Sequence, residues 1–416
     1  MPGLSSAPKP AKQLALAALQ STRFRAAATS VLFTLGLFAS LTTVQSANQE
    51  PLVVAYLASW RNGPAALSNV SAEKLTHLNY AFGQITEDGM ASLADPCLDV
   101  GECSGNEGAY PGGNFAAIKA LKDKYPHLRS LIAIGGWLGS KYFSDVAATA
   151  ESRKRFVDSC IDLYFMQHPG VFDGIDIDWE FPVQGGAQGN GARAQDRENF
   201  TLLIAEFRRQ LNELQSSTHQ LILTIAITGS PEGFANLELR KLAGLVDWMN
   251  VMTYDYHTGS TYTHFNAPLF ETASDPTPAL NVQASVQALL ERGVPTSKIV
   301  VGVPFYGRKY GRVANNNNGL FQACDRLSAA ACGDAIEYSE LPGMLTGGFK
   351  RFWDEKAQVP WLFSSQSQIW ITYDDPDSIR RKAKYVEEHR LRGVMIWELT
   401  QGDDSLLQAI RNGLGL

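Results

Sequence analysis

This chain of 416 residues has little of what several functional classes require. Its seven histidines are scattered, and no Cys/His cluster has the spacing of metal ligands, so we predict no bound metal and no cofactor. The formal net charge of −6 provides no basic surface of the kind that binds nucleic acid. No internal repeat is visible. With 45% hydrophobic and 19% charged residues, the composition is that of an ordinary globular protein with a large core.

Cysteine is also scarce, and its count of five is odd. Cys97 and Cys103 bracket one Gly-rich loop, and Cys324 and Cys332 bracket another, which predicts two short local disulfide bonds in an oxidising compartment. Cys160 lies in a segment whose apolar residues recur at helical spacing. We therefore interpret Cys160 as a buried core thiol rather than a nucleophile.

The first 50 residues differ in composition from the rest. Four basic residues precede an uncharged stretch over 26–49, whose apolar centre is 31–38. This pattern is typical of a secretory signal peptide, here residues 1–46 with a long basic leader, cleaved before Ala47. An uncleaved membrane anchor is the alternative, because the uncharged stretch is long enough to span a bilayer. Both interpretations predict export, to the periplasm or the extracellular space.

Strand-like and helical segments alternate through the rest of the chain. The predicted strands cover residues 52–57, 77–82, 130–134, 174–179, 221–227, 249–254, 299–304 and 393–397. The predicted helices cover residues 115–124, 150–165, 197–214, 281–292, 378–390 and 404–411. Eight strands alternating with helices predict an α/β fold, a closed (β/α)8 TIM barrel, in which functional groups collect at the carboxyl ends of the strands.

The most informative segment is 173–180, Asp-Gly-Ile-Asp-Ile-Asp-Trp-Glu. Its alternation predicts a strand with Asp176, Asp178 and Glu180 on one face and apolar side chains on the other. Because both faces of such a strand are covered in a parallel sheet, the carboxylates would be buried about 6 to 7 Å apart. Burying unpaired like charges is unfavourable. We therefore interpret the three as catalytic acids rather than as a solvated strand face.

The spacing Asp-x-x-Asp-x-Asp-x-Glu resembles the signature of family 18 glycoside hydrolases, the chitinases. Further segments resemble the strand-end motifs of that family, in the same order, at 79–82 (Asn-Tyr-Ala-Phe), 134–137 (Ile-Gly-Gly-Trp), 251–256 (Val-Met-Thr-Tyr-Asp-Tyr), 302–308 (Gly-Val-Pro-Phe-Tyr-Gly-Arg) and 394–398 (Val-Met-Ile-Trp-Glu). Together these segments span about residues 52–413, nearly the whole chain after its leader.

Two segments interrupt the alternation. Residues 83–114 form a long loop rich in Gly, Asp and Cys, of a kind that is commonly functional or tied by a disulfide. Residues 308–372 separate the last two strands by more than one helix requires, and they resemble the small α+β insertion domain of a bacterial-type chitinase subfamily. We expect a signal peptide at 1–46, the barrel at 47–307 and 373–416, and the insertion domain at 308–372.

Hydrolysis of a glycosidic bond needs a proton donor, and Glu180, the last carboxylate of the predicted strand face and the one nearest the barrel mouth, is the best general acid. The resemblance implies a retaining, substrate-assisted mechanism, in which the substrate's own acetamido oxygen attacks the anomeric carbon and gives an oxazolinium intermediate. It further implies that Asp178 orients the acetamido group and that Asp176 assists Asp178 from below. Tyr254 would donate a hydrogen bond to the acetamido oxygen, and Asp255 would bind the sugar or its amide.

The resemblance also implies a substrate-binding pocket. Trp397 would form an aromatic floor under the sugar. Six other residues match family positions that line or support the pocket, namely Trp137, Tyr56, Phe82, Met252, Tyr306 and Arg308. One position departs from the family, which commonly has Ser-x-Gly-Gly on the third strand, because Ala133 replaces the serine whose hydroxyl would reach Asp176. Tyr56 or a water molecule is expected to substitute.

The sequence thus predicts a secreted, monomeric chitinase that binds chitin or chitooligosaccharides and cleaves their β-1,4 bonds. We expect no nucleic acid partner, and no membrane contact after signal cleavage. One alternative is a non-catalytic chitin-binding lectin on the same barrel, but such proteins typically lose the acid that Glu180 supplies. Another is an endo-β-N-acetylglucosaminidase, which usually lacks an insertion domain.

Overall fold

The computed structural model describes residues 50–61, 67, 70–103, 111–215, 220–272, 275–324 and 332–416. The predicted signal peptide lies outside these ranges and stays a prediction. Within them, no helix has both the length and the apolar character needed to cross a membrane.

The strands confirm the predicted barrel. In chain order they are β1 (Leu52–Ala58), β2 (His77–Ile85), β3 (Ala91–Ser92), β4 (Arg129–Gly135), β5 (Gly174–Asp178), β6 (Ile222–Thr228), β7 (Trp248–Met252), β8 (Ile299–Pro304), β9 (Tyr306–Tyr310), β10 (Asp334–Glu337), β11 (Lys350–Asp354), β12 (Val359–Ser364), β13 (Ile369–Thr372) and β14 (Gly393–Trp397). Strands β1, β2, β4 to β8 and β14 pair in parallel, and β1 pairs with both β2 and β14, which closes the barrel. Every residue of β8, rich in Val and Ile, is buried, as expected for a parallel strand covered on both faces.

Helices surround the barrel. In chain order they are α1 (Pro96–Val100), α2 (Gly113–Lys124), α3 (Gly136–Gly139), α4 (Phe143–Ala147), α5 (Ala150–Ile161), α6 (Asp196–Leu214), α7 (Leu239–Leu245), α8 (Val282–Glu291), α9 (Leu341–Thr346), α10 (Pro376–Glu388) and α11 (Asp404–Leu414). The predicted helix at 150–165 is shorter than expected, because its last turn widens into a π-helix over Asp162–Met166. The predicted loop at 83–114 contains β3 and α1.

The apolar side chains of the barrel form two clusters, one on each face of the ring of strands. The larger cluster lies between the strands and the helices, where Ile175, Ile177 and Trp179 of the acidic segment pack. A smaller cluster fills the lumen and includes Val54, Ala133, Val300 and Met395. The alternation of side chains along β5 therefore sends its carboxylates into the lumen, as the sequence predicts.

The predicted α+β insertion domain is present as a second sheet. It has the strand order β10-β9-β13-β12-β11, pairs antiparallel throughout, and is accompanied by the short helix α9. Tyr310, Trp361, Phe363 and Trp370 pack together in its core, so these aromatic residues are structural. The first strand begins at Tyr306, and the predicted domain bounds of 308–372 stay a prediction.

Both predicted disulfide bonds are present, Cys97–Cys103 and Cys324–Cys332. Cys160 is a free thiol on α5 and is fully buried among apolar side chains, as predicted. Burial raises the pKa of this thiol well above its ordinary value, so Cys160 is an unreactive core residue.

Candidate active site

The inward side chains of β5 lie in layers defined by the barrel register. Asp176 pairs with Ala133 on β4 and with Thr224 on β6. One layer higher, Asp178 pairs with Gly135 and Ala226. Small neighbours on both sides leave space around the Asp178 side chain at the carboxyl end of the barrel.

Three hydrogen bonds hold the carboxylate of Asp176 in the lumen. The hydroxyl of Tyr56 donates to Oδ2 at 2.6 Å, as expected from the missing serine hydroxyl at Ala133. Thr224 Oγ1 and Asn250 Nδ2 donate to Oδ1 at 2.6 and 3.1 Å. Burial raises the pKa of Asp176, and these three donors oppose the rise because they stabilise the ionised form.

Glu180 lies beyond the end of its strand, which corrects the prediction that it is the last carboxylate of the strand face. β5 ends at Asp178, since after Trp179 the chain bends away at the barrel mouth. The backbone of Glu180 is nevertheless fixed: its N–H donates to Ser140 Oγ at 2.8 Å, and its carbonyl oxygen accepts from Asn190 Nδ2 at 2.9 Å. Ser140 also donates to the carbonyl oxygens of Gly136 and Asp178. These contacts position the Glu180 side chain at the mouth.

The carboxyl groups of Asp178 and Glu180 lack the partners that Asp176 has. Oδ1 of Asp178 is buried without a hydrogen bond in the described part of the chain. Burial, reinforced by the charges of Glu180 and Asp176, raises the pKa of Asp178 well above its ordinary value. Burial and the charge of Asp255 raise the pKa of Glu180 to about 8. At neutral pH Glu180 therefore carries a proton that it can donate, which is the requirement for a general acid.

Gly135 permits the close approach of β4 to this acidic strand. Its φ is 111°, a conformation that favours glycine, and a Cβ atom would lie 2.2 Å from the carbonyl oxygen of Asp178. The Gly-Gly pair of the sequence motif is therefore explained by the path of the backbone. Any side chain at Gly135 would displace Asp178 from the mouth.

A cleft of about 1060 Å³ opens over these acids at the carboxyl end of the barrel. Its walls include most of the predicted site residues, namely Tyr56, Phe82, Trp137, Asp178, Glu180, Met252, Tyr254, Asp255, Arg308 and Trp397. Asp176 and Tyr306 do not line it. Asp176 lies one layer below, and Tyr306 is a buried ring behind the wall, packed edge-on against Tyr254.

Aromatic rings cover one side of the cleft. Trp397 stacks on Phe82 with ring centroids 5.6 Å apart, and Phe82 stacks on Trp60 at 6.2 Å. The ring of Tyr56 meets Trp397 edge-on at 5.5 Å. Trp137, which is 51% exposed, lies apart from this group and contacts Phe181. Flat apolar rings of this kind suit the faces of sugar rings.

An ion pair forms the wall opposite. Arg308 Nε and Nη2 bond to the two carboxylate oxygens of Asp255 at 2.9 and 2.5 Å. Asp255 adopts a φ of 58°, uncommon outside glycine, and its N–H donates to Asn266 Oδ1. Because Arg308 occupies both oxygens, Asp255 presents an ordered negative group to the cleft. Tyr254 lies beside it, with its hydroxyl 3.9 Å from Met395 Sδ.

Several site residues were not identified from the sequence. Trp60, Leu138, Phe181 and Glu232 line the cleft, and Thr224 and Asn250 hold Asp176. Asn250 could have been found, since it lies two residues before Met252 on the same face of a strand. Trp60 and Phe181 follow the ends of their strands by two and three residues, where the path of the loop decides their positions. As for metals, the described residues contain no group of three or more His, Cys, Asp or Glu side chains that could hold an ion.

Comparisons with known proteins agree with this geometry. The sequence model for "Glycosyl hydrolases family 18" matches residues 52–402. Chitinase A1 of Niallia circulans is 34% identical over 404 residues, which cover 86% of this chain and 57% of the relative, so the chain spans a little over half the length of that protein.

Solved structures are similar as well. A chitinase from Bacillus thuringiensis gives a TM-score of 0.82 with 31% identity, covering 88% of this chain and 70% of that chain. Catalytic domain 2 of a Group II chitinase from Ostrinia furnacalis, solved as a mutant in complex with (NAG)5, gives 0.77 with 25% identity, covering 88% and 97%. With a family match over most of its length, the chain belongs to family 18 of the glycosyl hydrolases.

Proposed function

We propose that this chain is a chitinase that hydrolyses β-1,4 bonds between N-acetylglucosamine units. The observation that carries the proposal is the placement of Glu180, which lies at the mouth of a barrel in a cleft lined by aromatic rings, where burial and the charge of Asp255 raise its pKa to about 8. The similar Ostrinia furnacalis domain, solved with (NAG)5, supports an N-acetylated oligosaccharide as the ligand class.

Glu180 acts as the general acid that protonates the leaving oxygen. Among the residues whose placement is described, three other carboxyl groups line the cleft, and we assign none of them as the nucleophile: Asp255 is engaged by Arg308, Glu232 is exposed beyond the end of β6, and Asp178 serves the acetamido group. The substrate's own acetamido oxygen therefore attacks the anomeric carbon, and the configuration is retained. The unpaired Oδ1 of Asp178 accepts a hydrogen bond from the acetamido N–H and orients the attacking oxygen.

Other residues bind and align the sugar. Trp397 stacks under the sugar ring at the site of cleavage, with Phe82 and Trp60 extending the aromatic surface. The Tyr254 hydroxyl donates to the acetamido oxygen, and Asp255, fixed by Arg308, accepts hydrogen bonds from the sugar or its amide. Asp176 keeps a buried negative charge below Asp178, which favours a proton on Asp178.

The test is hydrolysis of N-acetylated chitooligosaccharides of increasing length, with chromatographic separation of the products. We expect cleavage with retention, inhibition by a thiazoline mimic of the oxazolinium intermediate, and no turnover of fully deacetylated chitosan or cellulose, since both lack the acetamido nucleophile. Binding of the oligosaccharides without cleavage would indicate the lectin instead. Efficient hydrolysis of cellulose would eliminate the substrate-assisted mechanism.

We also propose that the protein is exported. The two disulfide bonds support an oxidising compartment, and the N-terminal sequence has the pattern of a signal peptide. Fractionation of cells that express the chain, followed by N-terminal sequencing of the mature protein, tests this proposal. A chain that begins near Ala47 and is found outside the cytoplasm is the expected result, whereas a cytoplasmic chain that retains Met1 would refute it.

A further inference from the structure

The layer of the barrel that contains Asp176 has a hydroxyl on one side only. In the strand register, Asp176 lies between Ala133 on β4 and Thr224 on β6, and all three side chains point into the lumen. Ala133 offers no donor. A donor on either neighbouring strand would be about equally near to Asp176, because adjacent strands are about 4.8 Å apart.

Thr224 supplies a hydroxyl donor from β6. Its Oγ1 lies 2.6 Å from Oδ1 of Asp176, and both residues are completely buried. The oxygen that Thr224 contacts receives one other bond, from Asn250 Nδ2 at 3.1 Å, whereas Tyr56 donates to the opposite oxygen. Thr224 therefore makes the shorter of the two bonds to Oδ1.

The direction of these bonds is fixed by a further contact. Asn250 Oδ1 accepts from Trp248 Nε1 at 3.0 Å, so the amide of Asn250 must present its Nδ2 to Asp176. An amide nitrogen can only donate, and Nδ2 also lies 3.3 Å from the hydroxyl oxygen of Tyr56. With that oxygen accepting, the Tyr56 proton is directed toward Asp176. Asp176 thus accepts from its neighbours, which is the pattern of an ionised carboxylate.

We infer that Thr224 is a positioning residue, which joins Tyr56 in replacing the hydroxyl absent at Ala133 and so holds Asp176 as an oriented anion beneath Asp178. This inference rests on the proposed function, and it identifies Thr224 as the residue on which the buried charge of Asp176 depends. Thr224 does not line the cleft and acts through Asp176.

Without the Thr224 hydroxyl, two donors instead of three would oppose the rise in the pKa of Asp176 that burial causes. Asp176 would then keep its proton to a higher pH. Over this added pH range Asp176 would be uncharged and would no longer raise the pKa of Asp178. We expect the acidic limb of the activity profile to move to higher pH, since the ionised form of Asp176 is the active one.

The experiment compares four variants with the wild type. Thr224→Val removes the hydroxyl at nearly constant volume, and Thr224→Ser keeps it. The double variant Thr224→Val with Ala133→Ser moves the hydroxyl to β4. Thr263→Val is the matched control, because Thr263 is equally buried and its hydroxyl donates to the carbonyl oxygen of Gly319, away from Asp176.

In Thr224→Val we expect kcat to fall about tenfold with little change in KM, and the acidic limb to rise by about one pH unit. Thr224→Ser should keep the wild-type profile. The double variant should regain the acidic limb, and Thr263→Val should leave the profile in place even if it lowers stability. An unshifted limb in Thr224→Val would overturn the inference. A double variant that regains nothing would show that the two strands are not interchangeable as donors, and would overturn it too.

Urea unfolding at pH 4 and pH 7 gives a readout that needs no activity. The pKa of Asp176 in the folded state is raised, so this residue costs stability as pH rises through the ordinary carboxyl range. The loss of unfolding free energy that Asp176 causes should be larger at pH 7 than at pH 4. It should also be larger in Thr224→Val than in Thr224→Ser. If the wild type hydrolyses no chitooligosaccharide, the proposed function fails, while unfolding still decides the role of Thr224: equal pH dependence in the two variants would overturn it.

Discussion

The two ends of one acidic segment have opposite environments. At its lower end, Asp176 accepts three hydrogen bonds in a closed polar layer. At its upper end, Asp178 lies between two small residues, and both Asp178 and Glu180 face a cleft in place of donors. The difference teaches that burial alone does not assign a role to a carboxyl group. Burial raises the pKa of all three groups, but the donors around Asp176 oppose that rise and favour its charged form, whereas Asp178 and Glu180 lack donors and keep free oxygens for a substrate.

A similar contrast exists within Glu180 itself. Ser140 and Asn190 bond to its backbone, while its side chain has no hydrogen-bond partner in the described ranges. The protein therefore fixes where the carboxyl group is without stabilising its charge. Such an arrangement costs stability and is typical of a catalytic position.

The largest effect on activity is expected at the upper end of the acidic segment, where the carboxyl groups lack hydrogen-bond partners. Glu180→Gln removes the transferable proton but keeps the shape of the side chain, so hydrolysis of chitooligosaccharides should fall by about a hundredfold or more while binding stays close to that of the wild type. Steady-state kinetics and calorimetric titration measure the two quantities. Near-normal turnover in the variant would mean that the acid lies elsewhere.

The same substitution should also change stability with a defined sign. In the wild type Glu180 ionises above about pH 4.5 when unfolded but only near pH 8 when folded, so stability is lost as pH rises between these values. A glutamine side chain does not titrate, and Glu180→Gln should therefore gain stability relative to the wild type across that interval. Urea unfolding at pH 4 and pH 8 tests this expectation, and parallel curves for the two proteins would contradict it.

Asp178→Asn tests the second unpaired acid. Loss of this carboxylate should lower kcat by a factor on the order of tens, with little change in oligosaccharide affinity. The reason is that its proposed role is to orient the acetamido group in the transition state. Because the charge of Glu180 raises the pKa of Asp178, the two groups titrate together, and the substitution should also shift a limb of the activity profile. Equal losses in affinity and rate with an unmoved profile would make Asp178 a binding residue.

A smaller effect on activity is expected at the lower end of the acidic segment, where Asp176 accepts its hydrogen bonds. Tyr56→Phe removes one donor from Asp176 and leaves two, so kcat should fall about tenfold and the acidic limb should move to higher pH. Phe82→Leu, at a residue that also contacts Trp397 but makes no bond to Asp176, is a useful control, since it should change KM without moving the limb. If Tyr56→Phe changes only KM, the contrast between the two ends is wrong.

The smallest effect on activity is expected from the disulfide at Cys97. The double variant Cys97→Ser and Cys103→Ser should lose about 2 to 3 kcal/mol of unfolding free energy because the loop is short, and kcat should remain within about twofold of the wild type. Non-reducing peptide mapping of the wild type should find Cys160 as the free thiol. A disulfide that includes Cys160 would contradict the structure.

The main elements could be predicted because their signals are local. Seven of the eight barrel strands were predicted to within two residues at each end, and two of these seven, β8 and β14, to the residue. The second strand extends further, to Ile85, since it pairs with β3, a partner the loop composition concealed. Glu180 was assigned to the strand because its alternation continues past Asp178, where pairing with the neighbouring strands stops.

The sequence by itself determined the barrel, the acidic strand face and the family, because strand periodicity and motif order are properties of neighbouring residues. Which acid receives donors was decided by the tertiary structure alone. Thr224 and Asn250 come from strands 48 and 74 positions away from Asp176 and reach it only through the register of the closed barrel. Distances of this kind along the chain carry no periodic signal, so the partition between a fixed charge and a proton donor exists only once the barrel has closed.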